Sequence, residues 1–244
     1  MKVKNLLSHF QKTVEWSLVA KCACLVFLAL YAFVHGGVFS WFIWFFASLW
    51  FFYSENAERR SFTYSYGVYV ALLFLYGTNT KDSVFGDIIF FFLISFLLLL
   101  WVGLVRFVFK EKELMVDMYH SVLVFFTLLF SLMFGTFTSA FFAGLCIGML
   151  TYEYLTIHKF SWKPRMMLAS IALGLLTYEM LLIVQILPLH VIALAGVVSL
   201  FTLVVRNLYV AHFSGTLSQH FLFQNIVIFI TLCVVLFATG KWVI

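Results

Sequence analysis

The sequence has 244 residues, of which 64% are hydrophobic and 20% aromatic, with 15 Lys and Arg set against 10 Asp and Glu. A charged share of 10% falls well below the quarter that a water-exposed domain of this size carries, so the chain belongs in a bilayer. The same arithmetic excludes disordered, collagenous, disulfide-stapled and nucleic-acid-binding classes, and it makes the formal charge of +5 a matter of membrane orientation.

Hydrocarbon offers the backbone no hydrogen-bond partner, so each crossing is a helix of roughly 17 to 25 apolar residues or a strand of a closed barrel. The continuous apolar run 88–105 excludes the barrel, whose strands alternate. The expectation is an all-α, polytopic transmembrane helical bundle of about nine spans, forming a single membrane domain over 1–244.

In chain order, the first helix is expected over 16–35. Lys21 snorkels to the interface and no small-x-small cleavage site follows, so the segment is read as a retained anchor. Gly36-Gly37 turns the chain into a second helix, 38–54. Charged residues then delimit single crossings at 61–79 and 86–105. The uncharged interval 118–152 is too long for one helix, and Gly135-Thr136 divides it into helices 118–134 and 137–157. Pro188 divides the next such interval into 166–187 and 189–205. The last helix is 219–239. Eight crossings is the alternative, reached by merging two of these.

Charge tests the turns independently. On one side of the resulting topology lie Lys2, Lys4, Lys12, Lys21, Arg59, Arg60, Arg106, Lys110, Lys112, Lys159, Lys163, Arg165 and Arg206; on the other lie only Lys81 and Lys241. The positive-inside rule places the N-terminus in the cytoplasm and the C-terminus outside. No connection is long enough to form a soluble domain, so function resides in or at the membrane.

Two eight-residue stretches, 148–155 and 174–181, share the pattern Gly-x-Leu-Thr-Tyr-Glu-x-Leu 26 residues apart. They place Glu153 and Glu179 within apolar helices, where an ionisable side chain is costly and is paired, neutral or functional. Glu179 is expected well inside the hydrocarbon, with Thr177, Tyr178, Gln185 and Asn225 as candidate polar companions. Glu153 is expected about 6 Å from a cytoplasmic helix end, by helical rise, within reach of Lys159, Lys163 or Arg165. The bland readings are a hydrogen-bonded neutral carboxyl for Glu179 and an interfacial ion pair for Glu153. Ala140, Gly144 and Gly148 recur every four residues on one helix, and Ser170 and Gly174 on the next. Small residues at that spacing let membrane helices approach closely.

The histidines are read as interfacial, His120 included. No His, Cys or carboxylate spacing marks a metal or haem site, and no nucleophile elbow or phosphate loop is present, so no catalytic residue and no cofactor is assigned. Cys22, Cys24, Cys146 and Cys233 are assigned packing roles.

The C-terminal third, with Glu179, Leu187-Pro188-Leu189, Arg206, Tyr209 and Gly240-Lys241-Trp242, resembles uncharacterised small polytopic membrane protein families of bacteria. That resemblance implies a multi-pass protein of the bacterial inner membrane and carries no assigned activity. The leading expectation is a non-enzymatic, small transporter-like or membrane-complex subunit with a protonatable site around Glu179. Its partners would be the lipid bilayer and other membrane subunits or a second copy. The competing expectation is an intramembrane enzyme acting on a lipid-linked substrate at the cytoplasmic face, through Glu153 or Asp117 with His120 or His158, and with Lys163 and Arg165 holding an anionic head group.

Overall fold

The computed structural model describes residues 16–35, 38–55, 62–79, 112–158, 160 and 163–239. Every regular element among them is a helix: α1 (Trp16–His35), α2 (Val38–Glu55), α3 (Thr63–Asn79), α4 (Lys112–Phe134), α5 (Phe137–Ile157), α6 (Lys163–Val184), α7 (Val191–Phe213) and α8 (Gln219–Thr239). Five are long and apolar enough to cross a membrane: the 116–134 portion of α4, and α5, α6, α7 and α8. The helix expected over 86–105 and the Gly36-Gly37 turn lie outside the described residues.

The chain divides into two compact units, one of residues 1–60 and 73–119, the other of 61–72 and 120–244. In the first, α1 and α2 pack together through Leu25, Ala29 and Ala32, spaced to share one face of α1, and through Trp44 of α2. The buried Trp44 indole donates to the Leu25 carbonyl at 3.2 Å, which satisfies the one polar atom that the aromatic carries into the contact.

In the second unit the most extensive contact joins α5 and α6. A Cβ built on Gly174 would stand 2.6 Å from the Gly144 carbonyl oxygen, and one on Gly144 would stand 2.8 Å from that of Gly174. Gly148 faces the Ser170 backbone in the same way, and Ala140 is wholly buried. The helices therefore touch backbone to backbone along these small residues, where attraction between closely packed atoms replaces the hydrophobic drive that lipid cannot supply.

Local chemistry sets the turns of this unit. Gly135 takes φ +58, and Thr136 begins α5 with a reciprocal cap: its hydroxyl accepts from the Ser139 amide while the Ser139 hydroxyl accepts from the Thr136 amide. His190 accepts from the Ile192 amide at the start of α7, after the turn that contains Pro188. Gly215 at φ +73 follows α7, and the Ser218 hydroxyl accepts from Phe221 N–H to open α8.

Three helices depart from their expected ranges by three residues or more. The α4 helix begins at Lys112 rather than near 118. The α6 helix spans Lys163–Val184 rather than 166–187, because Pro164 fits the first turn, where its missing N–H would have had no helical partner. The α7 helix runs through Arg206 to Phe213 instead of stopping at 205. Arg206 is only 4% exposed, and its guanidinium lies 3.8 Å from the centre of the Tyr154 ring, which lets the charge stay inside the helix packing.

Candidate functional site

The last two turns of α5 carry Thr151, Glu153, Tyr154 and Leu155, all buried. Glu153 Oε2 accepts from the backbone amides of Tyr64, at 2.6 Å, and Ser65, at 3.0 Å. These belong to the first turn of α3, whose amides have no partner within the helix, and Phe62 just before it has no side-chain acceptor to cap them. A carboxylate there satisfies two orphan donors and meets the positive end of the helix dipole.

The other oxygen, Oε1, faces His120 Nε2 of α4 at 3.1 Å, and that histidine is fully buried. With Glu153 ionised, this ring nitrogen carries the hydrogen and donates it. One side chain of α5 thus holds α3 and α4 together. The Ser65 hydroxyl donates to the Phe62 carbonyl within the same turn.

From His120 a line of rings runs along one side of the carboxylate. Tyr154 lies edge-on to His120 with centroids 5.5 Å apart, and Tyr154 and His158 are 4.5 Å apart. His158 stacks on Phe160, which approaches Phe213 of α7. His158 Nδ1 lies 2.9 Å from the Tyr154 carbonyl oxygen, so its ring is tied to its own helix rather than to Glu153. Arg206 lies over Tyr154 on this same cluster.

Glu153 is therefore buried and bound to His120 and two α3 amides rather than to Lys163 or Arg165, and His120 is buried with it in the helix packing. The physical reason is coverage. The first turn of α3 and the His120 face of α4 close over the end of α5 and supply it with donors.

Glu179 meets different surroundings. It lies on the exposed side of α6. Because that helix starts at Lys163 and ends at Val184, Glu179 stands about 7 Å of helical rise from the Val184 end, shallower than the sequence suggests. Thr177 is buried on another side of α6, with its hydroxyl 3.3 Å from that of Thr202, which itself donates to the Val198 carbonyl. Tyr178 packs edge-on against Phe137 and Phe141. Gln185 lies in the turn after α6, its side-chain nitrogen buried without a hydrogen-bond partner in the structure. These expected companions do not converge on Glu179.

The two Thr-Tyr-Glu stretches are geometrically parallel up to their last member. Gly148 and Gly174 lie at the same helix crossing, Thr151 and Thr177 are buried, and Tyr152 and Tyr178 line one groove between α5 and α6. Only at the glutamate do they part, since α3 and α4 cover that flank of α5 while the corresponding flank of α6 is open. Among the described residues, no group of three or more His, Cys, Asp or Glu is placed to hold a metal ion.

Compared with known proteins, the chain matches no family model, no curated protein and no solved structure. The functional reading rests on the geometry.

Proposed function

We propose that this chain is a nine-span protein of the bacterial inner membrane, with its N-terminus in the cytoplasm and its C-terminus outside, and that it works as a non-enzymatic subunit of a membrane assembly. The asymmetry of Lys and Arg supports the orientation. The observation that carries the role is the commitment of the Glu153 carboxylate. Both of its oxygens and the facing His120 nitrogen are engaged in holding helices together, in a place closed to solvent. An enzyme acting on a lipid-linked substrate needs those groups at the wall of an open cleft, and a transporter needs a path that reaches them.

The test compares wild type with Glu153→Gln, His120→Gln and Glu179→Gln. The expected result is a particle larger than the monomer in mild detergent, weakened by the first two substitutions together with thermal stability, and no proton flux in reconstituted vesicles. Proton flux from a monomer, lost in a folded Glu153→Gln, would replace this reading with a transporter. Turnover of a lipid-linked substrate, lost in that variant at unchanged stability, would replace it with an enzyme.

A further inference from the structure

The outer side of the α5–α6 hairpin holds a groove of about 400 Å³, open along one flank. Its floor runs along Gly144, Gly148 and Gly174, and its walls are exposed apolar side chains such as Leu145, Met149 and Leu175. Phe141 and Tyr178, edge-on with centroids 6.1 Å apart, stand at one end. At the other, Tyr64 and Tyr152 make a similar contact, also at 6.1 Å.

The length of the groove is informative. From Met167 to Tyr178 along α6 the helical rise is about 16 Å, close to the roughly 15 Å of hydrocarbon in one leaflet.

Charge selects the occupant further. Lys163 is exposed one turn before Met167 on the same face of α6 and extends the groove's line beyond its tyrosine end. No acidic residue is present in the first turn of α6, although the positive end of a helix dipole favours acids. The line of the groove therefore leads to a cationic side chain, Lys163, beside a helix N-terminus whose amides are anion-seeking.

We propose that this groove holds one acyl chain of an anionic phospholipid, with the head group at Lys163 and the N-terminus of α6 and the chain lying over the glycine floor between the two aromatic pairs. The site goes beyond the assembly role, since it uses neither Glu153 nor His120.

The test is native mass spectrometry of the full chain from mild detergent, titrated with phosphatidylglycerol or with phosphatidylcholine of matched chains. Wild type is expected to retain one phosphatidylglycerol and to bind phosphatidylcholine at least tenfold more weakly. Lys163→Gln is expected to remove most of that preference. Leu175→Trp, which fills the groove from an exposed position, is expected to lower retention of both lipids, and Leu145→Trp serves as the same probe from α5. Equal binding of the two lipids by wild type, an unchanged preference in Lys163→Gln, or undiminished retention in both folded tryptophan variants would overturn the proposal. So would a discrete dimer that forms in place of the lipid adduct and is broken by the tryptophan variants, since a second copy would then cover the groove.

Discussion

Glu153 and Glu179 stand in nearly identical local sequence, and what separates them is which helices lie over each flank. Glu153→Gln retains the shape but replaces one carboxylate oxygen with a donor, so it sets an N–H against either His120 or the α3 amides. A buried polar group left unmatched costs about 1–3 kcal/mol, and a drop in thermal unfolding temperature of the detergent-solubilised protein is the readout. Glu179→Gln, on the exposed side of α6, is expected to change stability by no more than about 0.5 kcal/mol in the same measurement. Equal losses from both would show that the burial difference carries no energy. The presence of two carboxylates in apolar helices is legible from residue types alone. The pairing with His120 is not, because 33 residues separate the two and the donors from α3 are backbone amides, which every non-proline residue has. No local signal marks those amides as the carboxylate's partners, since the first turn of every helix has them.

Among the elements, glycine substitutions separate contact from backbone freedom. Gly174→Ala puts a methyl group against a carbonyl oxygen of the neighbouring helix, neither of which is flexible, so α5 and α6 must move apart at a cost of about 1–3 kcal/mol. Gly67→Ala on α3 meets nothing within 4 Å and removes backbone freedom from the unfolded chain, so it is expected to gain up to about 1 kcal/mol. Thermal unfolding of the two variants side by side checks the opposite signs. Helix positions were largely legible because apolar length, Gly135 and Pro188 are local signals. The end of α7 was not, since Arg206 reads as a boundary until the Tyr154 ring that accommodates it is known. Likewise the four-residue spacing of Gly144 and Gly148 points to a close approach without naming the partner helix.

At the scale of the whole molecule, the charge distribution predicts where each connection emerges. Single cysteines placed in a cysteine-free background at position 81 and after 239 are expected to react with an impermeant maleimide from outside intact cells, and those at 59 and 163 only after permeabilisation. Labelling of 163 from outside would invert the orientation and remove the anionic leaflet from the mouth of the α5–α6 groove. The α8 helix adds a second expectation at this scale. It has no buried residue, yet Gly196 of α7 lies close to Leu236, so its hold on the rest is by surface contact alone. Removing it is expected to leave the helical unit from α4 to α7 folded, with protease-resistant fragments of those helices as the readout.

The bond from Glu153 to the first turn of α3 spans 89 positions of sequence. A ribosome delivering this chain to the membrane releases α3 long before α5 exists, so the two amides at 64 and 65 must wait for this partner while intervening segments are synthesised. The carboxylate that relieves them arrives only with the close of α5. Final seating of α3 is therefore a late event in biogenesis, and a nascent chain halted before residue 153 holds an α3 whose first turn has not yet been fastened.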